Sequence, residues 1–180
     1  HYGVVRPVMS RGKAEDFSVS VVVPCKNEEG NIDGLVERIP HIGKETETIF
    51  VDDKSTDGTA EKVKYHIRKC SDKNIKLVEG PGRGKGAACR AGFASAKNDV
   101  LMILDADMTT MPETLPEFLD AIVTGKGEFI NGSRLVYPML GNAMKLLNVV
   151  GNKMFAMLFT FLLSQPIKDT LCGTKVIWRY

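Results

Sequence analysis

Short apolar runs alternate with amphipathic stretches along most of this chain. Ser18 to Pro24 is a β-branched run closed by proline and predicts a buried strand. Asn31 to Ile39 places Ile32, Leu35, Val36 and Ile39 at helical spacing. Glu47 to Val51 reads as a short strand, and Asp57 stands where a helix running through about Lys69 would take its cap. Ile75 to Val78, Val100 to Leu104 and Glu128 to Gly132 read as strands, Gly84 to Ala96 and Thr114 to Val123 as helices. This β-α-β-α order predicts an α/β fold, a mostly parallel sheet with helices on both faces. Residues 1–16 lack periodicity and read as an arm, ordered or frayed, ahead of a single domain over residues 17–180.

The strand at 100–104 ends in Asp105-Ala106-Asp107. A continuous apolar run predicts a strand covered on both faces, so these acids stand at its carboxyl edge, where open α/β sheets bind ligands. Two carboxylates this close repel unless a cation lies between them, and Mg²⁺ or Mn²⁺ bridged to a diphosphate supplies one. The plainer reading is a polar turn into a helix begun at Met111-Pro112-Glu113. Other strand ends are also polar. Pro24-Cys25-Lys26-Asn27-Glu28-Glu29 follows the first strand, and Asp52-Asp53-Lys54-Ser55-Thr56-Asp57-Gly58-Thr59 the second. Capping by Asp57 leaves Asp52 and Asp53 unexplained. After the third comes Gly80-Pro81-Gly82-Arg83-Gly84-Lys85-Gly86-Ala87. Its spacing and Ala87 break the P-loop pattern, and a dinucleotide fingerprint would follow the first strand. What remains is an anion-friendly corner of backbone amides and Lys85, with Arg83 beside it, at a helix start.

Composition narrows the partners. A chain of 180 residues suffices for one domain with a real core, and 43% hydrophobic with 26% charged residues is ordinary for a soluble protein. A net charge of +2 with scattered Lys and Arg argues against nucleic acid as a partner. Cys25, Cys70, Cys89 and Cys172 lie far apart, which suggests neither zinc nor a disulfide framework and fits reduced thiols in a cytosolic compartment. No signal-peptide pattern opens the chain, which starts without Met and stops within what reads as an element, so a longer protein is expected. Between about 142 and 163, Ala143, Met144, Leu147, Val150, Met154, Phe155, Leu158 and Leu162 share one helical face, and Phe159 and Leu163 add apolar surface opposite. The apolar run is too short to span a bilayer. A helix lying on a membrane surface, one packed on a further segment, and a core helix all remain open.

Taken in order, Val23-Pro24-x-x-Asn27-Glu28-Glu29, Val51-Asp52-Asp53-x-Ser55-x-Asp57-Gly58-Thr59, Gly84-Lys85-Gly86, Asp105-Ala106-Asp107 and Gly132-Ser133-Arg134 resemble family 2 glycosyltransferases, over about residues 18–178. The tail Asp169-Thr170-Leu171-Cys172-Gly173-Thr174-Lys175 is similar to the branch of dolichyl-phosphate mannose synthases and bacterial polyprenyl-phosphate glycosyltransferases. The resemblance implies a Rossmann-like GT-A fold, a GDP- or UDP-linked sugar donor, a divalent metal and inversion at the anomeric carbon. It implies that Pro24, Lys26 and Glu28 line the nucleotide pocket, that Asp53 accepts hydrogen bonds from base or ribose, and that Lys85 sits near the phosphates. Asp105, Ala106 and Asp107 would meet the metal and diphosphate, with Asp107 catalytic. Lys26 stands where an aromatic residue is frequent in the family, Lys54 where glycine is, and Thr109 where some mannose synthases have Gln.

Charge then bears on the acceptor. A departing nucleotide gains negative charge that a metal neutralises. A sugar hydroxyl would need a carboxylate base, which relatives with such acceptors carry in a late Glu-Asp pair. The Glu-Asp here is Glu15-Asp16, in the arm. A lipid phosphate, with its second pKa near ~6, is already anionic and needs cations instead. Arg134 and Lys175 are the candidates, Arg134 also as a catalytic residue. The expectation is transfer of a hexose to a polyprenyl phosphate, by a domain touching the cytoplasmic face of a membrane. Transfer to a sugar hydroxyl and a catalytically silent nucleotide-sugar-binding module stay as alternatives. A nucleotide-sugar pyrophosphorylase would carry a glycine-rich loop after the first strand, which is missing here.

Overall fold

The computed structural model describes residues 10–132 and 173–179. The chain divides into two compact units, residues 8–130 with 174–180, and residues 1–7 with 131–173. The first is described below. Arg134, Asp169 and the helix expected over 142–163 lie outside the described residues.

The elements run β1 (Ser18–Cys25), α1 (Glu29–Arg38), β2 (Glu45–Asp52), α2 (Thr59–Lys69), β3 (Asn74–Glu79), α3 (Lys85–Ser95), β4 (Val100–Ile103), α4 (Leu115–Val123), β5 (Phe129–Asn131) and β6 (Lys175–Trp178). They make a six-stranded sheet in the order β3-β2-β1-β4-β6-β5. The β1–β2, β2–β3 and β1–β4 pairs are parallel. β6 enters antiparallel beside β4.

Alternation along the buried strands sorts side chains onto the two faces of the sheet. Val19, Val21 and Val23 of β1, Phe50 of β2, and Val100 and Met102 of β4 share a core with Ile32, Leu35 and Val36 of α1, Val63 of α2, and Leu115, Leu119 and Ile122 of α4. On the other face Val22, Ile49, Val51 and Leu101 pack with Ala88 and Ala96, and with the half-buried Ala91 and Phe93 of α3. Helices therefore cover both faces, as the sequence pattern predicts. Ile32, Leu35 and Phe50 are fully buried, and each side chain of this size contributes about 1.5–3 kcal/mol on leaving water.

Some elements differ from the sequence reading for identifiable reasons. β2 begins at Glu45 rather than Glu47, because the ladder pairs Ser18 with Glu45 and Val19 with Thr46. A turn of 3-10 helix over Pro112–Thr114 precedes α4 and takes the proline that a first helical turn tolerates. β6 was not anticipated as a strand; four residues whose pairing partner lies far away in sequence carry no local signal of direction. Residues 10–16 form an ordered arm. The Arg11 N–H donates to the Val123 carbonyl at 2.9 Å, its guanidinium stacks 4.5 Å from the Trp178 ring centroid, and Phe17 meets the same ring edge-on.

The amino edge of the sheet buries a charge. Glu47 accepts from Ser20 Oγ at 2.5 Å and from the Lys97 N–H at 2.7 Å, and its other oxygen pairs with Lys76. Asn98 completes the corner, donating through Nδ2 to the Val19 carbonyl at 2.7 Å. These bonds tie the α3–β4 connection and strand β3 to the centre of the sheet.

Candidate functional site

The polar loops meet along the carboxyl edge. The parallel ladders set Pro24 opposite Val51, Cys25 opposite Asp52, and Asp52 opposite Glu79. The Asp53 N–H continues the ladder to the Cys25 carbonyl at 2.9 Å, and the Leu104 N–H reaches the Val22 carbonyl at 3.0 Å. The loop after β4 thus leaves the sheet beside β1, and Lys175 at the start of β6 pairs with Ile103, two residues before Asp105.

Two of the loops are bolted together by residues whose spacing looks catalytic. Asn27 adopts φ 58°, a left-handed conformation that asparagine tolerates better than most residues. Its Oδ1 accepts the Thr56 N–H at 2.8 Å while its own N–H donates to Ser55 Oγ at 2.9 Å. The Glu28 N–H donates to Thr59 Oγ1 at 2.9 Å, the Glu29 N–H to Asp57 Oδ2 at 3.2 Å, and the Gly58 N–H to Glu29 Oε2 at 3.1 Å. Asp57 does serve the start of α2, accepting the Thr59 N–H at 3.0 Å, but it equally holds the neighbouring loop. Hydrogen bonds from the Thr59 hydroxyl, then from backbone N–H groups, keep its carboxyl below the usual aspartate range. Asn27, Glu29, Ser55, Asp57 and Thr59 are therefore scaffold. Of the residues nominated for the nucleotide pocket, Pro24 and Glu28 are half-buried and Lys26 is exposed. The Glu28 carboxylate accepts from Asn31 Nδ2 at 2.7 Å.

The glycine-rich loop lies against the end of β2. The Gly80 N–H donates to the Asp52 carbonyl at 2.8 Å. Asp53, 2% exposed, accepts the Gly82 N–H at 2.7 Å on one oxygen and the Gly84 N–H at 2.8 Å on the other. Gly82 and Gly84 have φ +72° and +87°, values that glycine adopts at no steric cost. Gly84 directly precedes α3, whose first residue, Lys85, forms an ion pair with Asp105. Asp105 and Ala106 are buried and Asp107 is exposed. Met108, at φ 53°, donates its N–H to the Asp105 carbonyl at 3.2 Å, and the Thr109 N–H donates to Asp107 Oδ1 at 2.9 Å. The two acids thus stand on a closed turn rather than a floppy loop.

Cys89 of α3 reports which charges gather here. Burial pushes its thiol up; Lys85 and Lys175 oppose that shift and Asp105 adds to it. Lys85 of α3 and Asp105 after β4 are joined by their ion pair, and Lys175 of β6 lies opposite Ile103 of β4. Among the described residues no three His, Cys, Asp or Glu side chains converge as a ready-made metal cage. Asp105 and Asp107 offer hard oxygen ligands from one turn, a set suited to Mg²⁺ or Mn²⁺ when phosphate oxygens and water fill the remaining positions. The ammonium already on Asp105 marks it as a place where positive charge is held.

A separate groove of about 770 Å³ lies between α1 and α2, lined among others by Asp33, Lys62, Tyr65 and His66. It contains none of the residues nominated from sequence. Its buried His66 bonds Asp33 at 2.7 Å, and Lys62 pairs with the same acid at 2.8 Å, so it reads as the seam between two helices.

A mostly parallel sheet covered on both faces, with acids and a glycine loop gathered at its carboxyl edge, is an open α/β sheet with its polar loops where such sheets bind ligands, and its likeness to solved glycosyltransferases makes it a GT-A glycosyltransferase domain. The chain belongs to Glycosyl transferase family 2, which it matches over residues 20–179. The dolichol-phosphate mannosyltransferase of Pyrococcus furiosus is 37% identical over 122 residues, covering 67% of this chain and 34% of that protein. The undecaprenyl-phosphate 4-deoxy-4-formamido-L-arabinose transferase of Aeromonas hydrophila is 33% identical over 111 residues, covering 59% of this chain and 34% of its own. Among solved structures, a mannosyltransferase of Pyrobaculum calidifontis in complex with GDP-Man and Mn²⁺ superposes with a TM-score of 0.57 at 27% identity, over 64% of this chain and 35% of that one. The chain therefore spans about a third of the length of these relatives.

Proposed function

We propose that this domain transfers a hexose, with inversion, from a GDP- or UDP-linked donor to a polyprenyl phosphate. The observation that carries the reading is the Lys85–Asp105 ion pair at the carboxyl end of β4, with Asp107 exposed on the same turn. Asp105 and Asp107 would hold Mg²⁺ or Mn²⁺, which when bound stabilises the charge that develops on the leaving diphosphate. Lys85 and the first N–H groups of α3 draw the same diphosphate from the other side. Pro24, Lys26, Glu28 and Asp53 border the nucleotide. An acceptor phosphate oxygen attacks the anomeric carbon, forming the new C–O bond as the bond to the diphosphate breaks, and the nucleoside diphosphate leaves with the electron pair. No proton need be removed from an anionic phosphate, so no carboxylate base is required at this step. Lys175, beside β4, and Arg134 would receive the acceptor phosphate.

Likeness to a dolichol-phosphate mannosyltransferase and an undecaprenyl-phosphate transferase supports a lipid phosphate as acceptor, and GDP-Man with Mn²⁺ in the Pyrobaculum calidifontis complex supports the metal and nucleotide. Such an acceptor is presented at a membrane, here at its cytoplasmic face. Among the described residues no helix is long and apolar enough to cross a membrane.

The test is a transfer assay on the full-length protein, with GDP- and UDP-linked hexoses against polyprenyl phosphate, free sugars and glycans, with and without chelator. Chelator-sensitive formation of a lipid-linked sugar is expected, with the anomeric configuration of the donor inverted. Transfer confined to sugar hydroxyls would replace the acceptor, and nucleotide-sugar binding without turnover would leave a silent binding module.

A further inference from the structure

Asp53 differs from the other acids of the carboxyl edge. Asp107 is exposed and Asp105 meets a side-chain ammonium, whereas Asp53 gives one oxygen to each of two backbone N–H groups of a single loop. Those donors, Gly82 and Gly84, both lie at positive φ. The loop is pressed onto it from a third point, since a Cβ on Gly80 would lie 2.8 Å from Asp53 Oδ1 and 2.9 Å from its Cα. Lys54, next in sequence, adds a clasp. Its stem packs on Gly82, where a Cβ would meet Lys54 Cγ at 2.9 Å, and its ammonium pairs with Glu79.

A segment with three glycines in five residues has large backbone freedom, and most of its conformations would aim Lys85 elsewhere. Hydrogen bonds to an ionised acceptor are about twice as strong as neutral ones, so two of them on adjacent turns of the loop select one conformation. That conformation ends at Gly84, directly before Lys85 and the amides of α3. With 2% of the residue exposed, a nucleotide base reaches the Asp53 carboxylate only by displacing the loop.

We infer that Asp53 is a positioning residue for the donor's diphosphate: its carboxylate holds the Gly80–Gly84 loop so that Lys85 meets the phosphates, and it acts on the phosphate half of the nucleotide rather than on the base. This rests on the nucleotide-sugar reading above and changes the role that the family resemblance gives Asp53.

Calorimetry on the full chain with Mg²⁺ separates the two roles. The probes are whichever of GDP and UDP binds, the corresponding nucleoside, and inorganic pyrophosphate. Asp53→Asn puts an amide N–H₂ against one loop N–H and should weaken nucleoside diphosphate and pyrophosphate together, by about 10-fold or more, while the nucleoside is unaffected. Gly82→Ala, which strains the loop at a positive φ while leaving the Asp53 side chain in place, should reproduce this pattern and keeps the test valid if Asp53→Asn folds poorly. Because Asp53 works through Lys85, the double variant Asp53→Asn with Lys85→Ala should lose less than the two single losses combined. Equal loss for the nucleoside, or pyrophosphate affinity unchanged in Gly82→Ala, overturns the inference and returns Asp53 to the base. A wild-type protein that binds neither GDP nor UDP overturns the nucleotide-sugar reading, and the inference with it.

Discussion

The two edges of one sheet treat their carboxylates in opposite ways. At the amino edge Glu47, 1% exposed, is matched by a hydroxyl, a backbone N–H and an ammonium. At the carboxyl edge Asp107 stands in solvent, accepting the Thr109 N–H of its own turn, and Asp105 is met by the ammonium of the half-exposed Lys85. Burying an anion without partners is strongly unfavourable, and the full set around Glu47 is what makes its position tolerable. Asp107 has no such debt to desolvation, so its free lone pairs remain for a cation. An acid's neighbours, more than its depth or its place on a strand, tell scaffold from site.

Removing Glu47 is the hardest test of that contrast. Glu47→Ala leaves Lys76, Ser20 and the Lys97 N–H without their acceptor, and should cost about 3 kcal/mol in urea denaturation, with turnover per folded molecule unchanged. A loss below about 1 kcal/mol, the range of surface pairs, would put Glu47 in the same class as the exposed acids. Asp107→Ala should do the reverse. Turnover should fall on the order of 100-fold, the scale of losing one transition-state charge stabiliser, while stability stays within about 0.5 kcal/mol. A variant that unfolds, or one that turns over normally, erases the distinction between the edges.

Acid gives the smallest and most graded effect. Burial pushes the Glu47 carboxyl up, but the bonds from Lys76, Ser20 and Lys97 outweigh it and hold the group below its ordinary value of 4.5. A carboxyl held low in the folded state contributes stability that is complete above the unfolded value and is lost as the pH falls through the folded one. Urea midpoints should therefore decline once the pH drops below about 4.5, and Glu47→Gln should flatten that decline. An identical acid limb in wild type and Glu47→Gln would assign it to other carboxyls, such as Asp99, which the Ser18 hydroxyl and N–H hold low.

Much of this was legible beforehand, for physical reasons that differ by region. β1, β4 and α1 declare themselves because burial on two faces or one stripe demands an apolar period that short windows capture. The position of Asp105 and Asp107 at a strand end follows from the same run. Glu47 was visible only as the start of a strand; its partners Lys76 and Lys97 come together through the ladder and the α3–β4 connection, which no local pattern encodes. The motif around Asn27 and Asp57 stands out in the sequence, yet its residues mainly bond one another, a fact that spacing cannot reveal. Asp53 was recognised as unexplained by capping, but its inward orientation depends on three glycines that lie beyond the intervening helix and strand.

Strand β6 has a consequence for the order of assembly. Strands β1, β2 and β3 can pair as synthesis proceeds, each following its neighbour after one helix, and β4 joins β1 on the other side, but the second edge of β4 stays open until residues 175–178 emerge. Contacts between segments so far apart in sequence form slowly, and an unpaired strand edge is a template for pairing with another chain. The strand that ends in Asp105 and Asp107 is thus the last interior strand to be sealed, and a ribosome-bound intermediate would expose it on one side. The late arrival of Lys175 closes that edge and sets a basic residue opposite Ile103, two residues before Asp105, in the same event.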